Sequence, residues 1–127
     1  MGRKDAANEP REEKARLRGG GMEEAVLRAV MRLKGQGYGV NIGEEVEEML
    51  GRELTLGGIY TTLDRLTEKG FVEPSWGEST PERGGRRRQY FQITGVGEMA
   101  LAEVESVQNR MRRIEAKSGV MPEGGVA

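Results

Sequence analysis

TLGGIYTTLDRLTEKGFVEPSW, residues 55–76, contains the switch from helical to strand patterning that decides the fold. Ile59, Leu63 and Leu66 recur at steps of four and three, the spacing of one buried helix face. Thr55 is a capping residue ahead of that face and Gly70 a stop behind it, so a helix is predicted over residues 55–69. FVEPSW, residues 71–76, then reads as a strand. RQYFQIT, residues 88–94, reads as its partner, and the glycine- and arginine-rich stretch between them as a hairpin tip.

Upstream, residues 41–50 form a second predicted helix, with Asn41 as cap, Ile42, Val46, Met49 and Leu50 inward, glutamates outward and Gly51 as terminator. Before it, residues 22–34 carry Val26, Leu27, Ala29, Val30, Met31 and Leu33, an apolar face wide enough for deep burial, and Gly35 and Gly37 stop it. Downstream, a helix over residues 97–117 would be about 30 Å long. Its Ala100, Val104, Val107, Met111 and Ile114 follow at steps of four, three, four and three, an a/d seam that Leu101 broadens and that exceeds one monomer's needs. The expected packing is against a symmetry mate and also against the first helix.

At 127 residues there is room for one core. With no cysteine and no histidine, the chain lacks disulfides, zinc sites of the usual kind and Ser-His or Cys-His catalysis. A glutamate-rich helix exterior is ordinary solvation, so no enzyme and no cofactor is expected. No apolar run is long enough to span a membrane and the first residues lack the apolar centre of a signal peptide, so a cytoplasmic location is expected. The formal net charge of -1 does not favour nucleic acid globally, so any such role needs local charge segregation. Arg83, Arg86, Arg87 and Arg88 supply it at the hairpin tip, opposed only by Glu82.

Three helices followed by a hairpin is the order of a winged helix-turn-helix, whose third helix enters the major groove. The expected class is therefore mainly α with a small β-hairpin. A flexible N-terminal tail covers residues 1–21, the winged-helix domain 22–95, a dimerisation helix 96–117 and a disordered tail 118–127. On the third helix the outward positions are read as Thr55, Gly57, Gly58, Tyr60, Thr61 and Thr62, with Arg65 a turn later. Small residues let a backbone approach DNA, and hydroxyls and helix N-terminal amides suit phosphates and base edges. Tyr60 has an equal alternative, packing against the first helix with its hydroxyl satisfied locally. The arginines would line the phosphate backbone; the alternative is a solvated turn with charged edges. Trp76, on a wing strand, is assigned a structural role.

YGVNIGEEVEEMLG, LTLGGIYTTLDRLTEKGFVE and GGRRRQYFQITGVGEMAL, in this order and spacing, resemble the PadR family of bacterial transcriptional regulators. The resemblance runs from about Leu27 to about Leu101. It departs where the family often has proline, at Gly57 and Thr61, and an aromatic residue near Val40. The resemblance implies a two-fold dimer built on the last helix and, in some members, a small-molecule effector near the dimer interface. The expected partners are thus double-stranded DNA, a second copy of the chain through Leu101, Val104, Val107, Met111 and Ile114, and such an effector. The expected role is sequence-specific regulation of transcription, as a repressor, from a pseudo-palindromic operator. The alternative is a winged-helix module that docks a protein, whose signature would be exposed apolar or acidic residues on the third helix and wing.

Overall fold

The computed structural model describes residues 16–19, 21–77 and 87–118. Four helices and one hairpin follow in the order α1 (Met22–Arg32), α2 (Gly39–Leu50), α3 (Leu56–Glu68), β1 (Val72–Trp76), β2 (Gln89–Ile93) and α4 (Gly95–Lys117). Most of the expected tails, residues 1–15, 20 and 119–127, lies outside the described residues. Residues 16–19 do not behave as a free linker. Lys69 Nζ donates to the Arg16 carbonyl at 3.0 Å, Arg18 N donates to Glu23 Oε1 at 3.3 Å, and Leu17 is packed on the core.

One core joins the elements, with Val26, Leu27, Val30, Ile42, Val46, Leu63 and Leu66 fully enclosed beside Ile59, Phe71, Phe91 and Leu101. The predicted faces of α1, α2 and α3 are the buried ones, with two exceptions at the helix margins. Met31 and Met49, read as inward, are 37% and 39% exposed. α1 ends in a tight reversal in which Lys34 (φ 51°) and Gly35 (φ 82°) both take the left-handed conformation.

The start of α2 corrects one expectation. Tyr38, not Asn41, stands at the N-cap, and Asn41 is inside the first turn. From there its Oδ1 accepts from Tyr38 N at 2.7 Å and its Nδ2 donates to the Gln36 carbonyl at 3.1 Å, so the carboxamide caps from within. At α3 the cap is as predicted: Thr55 Oγ1 accepts from Gly58 N at 3.0 Å.

β1 and β2 are antiparallel, with Val72 opposite Ile93 and Trp76 opposite Gln89. The other edge of β2 is held by Phe91 N donating to the Gly37 carbonyl at 2.9 Å, which anchors the chain just ahead of α2 to the wing. Thr94 closes the hairpin onto the body. Its Oγ1 donates to the Gly70 carbonyl at 2.7 Å and accepts from Gly97 N at 3.0 Å, capping α4 two residues earlier than the spacing predicts.

Gly97 is where α4 passes against the start of β1. A Cβ there would overlap the Phe71 carbonyl oxygen and come within 2.9 Å of Ile93 Cγ1. Gly97→Ala is accordingly expected to lower stability by about 1–3 kcal/mol, because backbone must move to admit one methyl. Gly95→Ala is its control, since no atom lies within 4 Å of that added carbon. Urea unfolding midpoints compare the two, and equal midpoints would refute the close approach.

α4 rests on α1 through Gln108 Nε2, which donates to Glu24 Oε1 at 3.3 Å, and through Arg28 Nη1, 3.9 Å from Glu105 Oε2. From Asn109 to the end of the helix every residue is exposed. That final stretch, about 14 Å at the helical rise, carries Met111 and Ile114 more than half exposed.

Candidate nucleic-acid interface

The outward face of α3 is formed by Leu56, Gly57, Tyr60, Thr61, Asp64 and Arg65. Gly58 is half-buried, and the Thr55 hydroxyl is engaged by its own helix. Thr62 is corrected: it is 4% exposed, and its Oγ1 donates to the Gly58 carbonyl at 3.0 Å. It lies three residues after Ile59 and four before Leu66, which puts it on the core side, where bonding back into the helix satisfies a buried hydroxyl. Thr67 does the same, donating to the Leu63 carbonyl at 2.8 Å.

Tyr60 is 36% exposed and packs against α2, not the first helix. Its phenol end occupies the space where a side chain at Gly39 would begin, so only glycine at the head of α2 admits this ring. Leu56 and Val40, at the first turns of α3 and α2, are 48% and 50% exposed and line one groove with Gly43. The helical spacing left both outside the apolar faces.

On the wing, Arg87 is exposed. Its Nε donates to the Gly77 carbonyl at 3.1 Å, and its guanidinium carbon lies 5.8 Å from the Trp76 ring centroid. Trp76 is itself 56% exposed, so its role as a support for Arg87 leaves much of the ring open. Arg88 does not fan outward. Its guanidinium carbon stands 3.9 Å over the Tyr38 ring, and Tyr90 meets Tyr38 edge-on with centroids 5.9 Å apart and planes at 81°. Arg83 and Arg86 lie outside the described residues.

These contacts link wing and helix. Arg88 rests on Tyr38, Tyr38 precedes Gly39, and Gly39 receives the Tyr60 ring, so a cation, two aromatic rings and the exposed face of α3 adjoin at the head of α2.

The proposed dimer residues divide between two environments. Leu101 is 4% exposed and belongs to the chain's own core, because it faces α1 at the foot of α4. Val104 is half-buried, whereas Val107, Met111 and Ile114 are 41%, 55% and 56% exposed. Between α4 and residues 16–19 lies a cavity of about 430 Å³, lined by Leu17, Ala100, Val104, Val107 and Met111. Among the described residues no cluster of acidic side chains is placed to hold a metal ion, and no helix is long and apolar enough to cross a membrane.

Comparison with known proteins gives consistent results. Solved structures with this architecture include a PadR-like transcription factor from Bacteroides fragilis, 23% identical over 75% of this chain and 86% of that one, with a TM-score of 0.63. A PadR-like transcriptional regulator from Bacillus cereus is 20% identical over 75% and 87% of the two chains, with a TM-score of 0.59. A PadR family transcription regulator from a hypervirulent Clostridium difficile is 22% identical over 76% and 97%, with a TM-score of 0.58. At such identities these likenesses establish a winged-helix fold. No curated protein matches the chain. The model of the transcriptional regulator PadR-like family matches residues 26–103, more than half of the sequence and the whole span from α1 through the wing into α4, and the chain therefore belongs to the PadR-like family of transcriptional regulators.

Proposed function

We propose that the protein binds double-stranded DNA in a sequence-specific manner as a two-fold dimer, reads a pseudo-palindromic operator, and represses transcription in the cytoplasm. The observation that carries this reading is the adjoining of wing cation and α3 face at the head of α2. A groove-reading helix needs phosphate contacts beside it to fix its register, and Arg87 and Arg88 are the described wing arginines suited to supply them. On α3, Gly57 leaves room for close approach, while Thr61 and Arg65 are the exposed polar groups suited to base edges or phosphates. Thr55, Gly58 and Thr62 contribute by shaping the helix start, not through free side chains. Arg83 and Arg86 extend the basic tip in the sequence. Val104, Val107, Met111 and Ile114 form the dimer seam, and the cavity that the first three of them line against residues 16–19, which therefore shares its wall with the seam, has the size of a small-molecule effector site.

Selection from a random DNA pool tests this reading. The expected product is a pair of inverted half-sites about one helical turn apart, as two-fold related recognition helices require. A single asymmetric half-site would refute the dimeric mode. Joint replacement of Arg86, Arg87 and Arg88 by alanine is expected to weaken binding to every duplex alike and to flatten its salt dependence by about one unit of slope per lost phosphate contact. Thr61→Ala should instead erode discrimination between operator and random DNA. A second reading, a module that docks a protein, is favoured by the exposed Leu56, Val40 and Asp64. Absence of DNA binding at every salt concentration would select it.

A further inference from the structure

Arg87 and Arg88 are neighbours in sequence but are held differently. Arg87 donates a hydrogen bond to a backbone carbonyl through Nε. Arg88 has no hydrogen-bond acceptor for its side chain among the described residues, and its guanidinium carbon lies over the Tyr38 ring, 3.9 Å from the centroid and well inside the range of a cation–π contact. A guanidinium that meets a ring with its flat face keeps its edge of N–H donors available for a planar or tetrahedral anion.

Tyr38 is also unusually well placed to hold a cation still. Tyr90 braces it edge-on, Asn41 accepts from its backbone N–H, and the Gly37 carbonyl pairs with β2. The ring is thus fixed to the wing and to the head of α2 at once. We infer that Tyr38 is a positioning residue for DNA binding: it orders the Arg88 guanidinium so that its free edge meets a backbone phosphate beside the recognition helix. The inference rests on the DNA-binding reading above and adds to it a residue that touches no DNA itself.

The physical consequence is preorganisation. An arginine on a flexible stem loses rotamer freedom when it grips a phosphate, whereas one already stacked has lost it on folding. Removing the ring should therefore weaken binding without removing any charge.

Duplex binding by the full chain, measured for operator and random DNA, tests the idea through a double-mutant cycle. Tyr38→Ala is expected to lower affinity for both duplexes about threefold to tenfold. In the Arg88→Ala background the same change should have no further effect beyond about twofold. Tyr38→Phe keeps the ring and should bind as the unmodified protein does. Arg88→Lys keeps the charge but lacks the flat fork, and it should fall nearly as far as Arg88→Ala. Additive losses in the cycle, or full binding by Arg88→Lys, would overturn the inference. If Tyr38→Ala fails to fold, Tyr38→Leu, which keeps apolar bulk without a π face, takes its place in the cycle with the same expected and overturning outcomes. An unmodified protein that binds no duplex even at low salt removes the DNA reading itself, an outcome distinct from strong binding with an additive cycle.

Discussion

Lys69→Met is expected to destabilise the protein by about 3–5 kcal/mol, more than any other single substitution outside the apolar core. Lys69 follows α3 and Glu23 lies in the first turn of α1, and their Nζ and Oε1 atoms are 2.8 Å apart with side chains only 11% and 6% exposed. Methionine has nearly the same length and volume, so packing is retained while the Glu23 carboxylate is left buried with, among the described residues, only Arg18 N to stabilise it. A buried charge without its counter-ion costs far more than the pair contributes, because desolvation is no longer offset. For a domain of this size the loss corresponds to a fall in Tm of more than about 10 °C. Thermal unfolding of Lys69→Met beside Glu23→Gln/Lys69→Met checks the cause, since removing both charges should restore most of the stability. A double variant as unstable as the single one would show that packing, not charge, is at stake. The pair also fixes the end of α3 to α1 and to residues 16–19, so the proposed DNA binding should fall with folding and return in the double variant.

That pair also lies beyond the reach of local sequence patterns. Ile59, Leu63 and Leu66, Ile42 and Val46, and the α1 face announce their burial by spacing alone, because a helix converts period into direction. The hairpin, the Thr55 cap and the glycine stops at Gly51 and Gly70 are legible for the same reason: each is a local rule acting over four or five residues. Glu23 and Lys69 are 46 residues apart, and Tyr38 and Arg88 are 50 apart. No local pattern separates such charges from solvated ones. Thr62 was misread by residue type, although its position between Ile59 and Leu66 put it on the core side. Asn41 was misplaced because a capping residue also acts from the third helical position when its amide reaches back. Leu101 shares the spacing of the expected seam, but it is 4% exposed and belongs to the chain's own core, a distinction that helical spacing alone does not make.

Val107→Asp is expected to convert a dimer in solution into a monomer and, with that, to abolish tight operator binding. α4 leaves part of its apolar stripe uncovered. Its foot is committed to the body through Leu101 and the Gln108–Glu24 bond, but Val107, Met111 and Ile114 stay open along one stripe at steps of four and three. An apolar stripe at that spacing on a projecting helix is the geometry of a helix-to-helix seam. Val107 sits at the point where the stripe leaves the body, so a partner helix crossing there would enclose it. An aspartate at the same place would bury a carboxylate without a cation, a cost of several kcal/mol that two copies incur at once in a symmetric interface. In the separated chain the position is 41% exposed and an aspartate is solvated, so the monomer should keep its fold and its Tm. Sedimentation at micromolar concentration reads the mass directly. The unmodified protein is expected to be twice the chain mass, and Val107→Asp the chain mass alone. Because each protomer then contributes only one half-site, affinity for the full operator should drop to that for a single half-site, while the residual binding keeps its dependence on Arg87 and Arg88. An unmodified protein that sediments as a monomer, or a variant that remains dimeric, would place the contact between copies elsewhere than on α4.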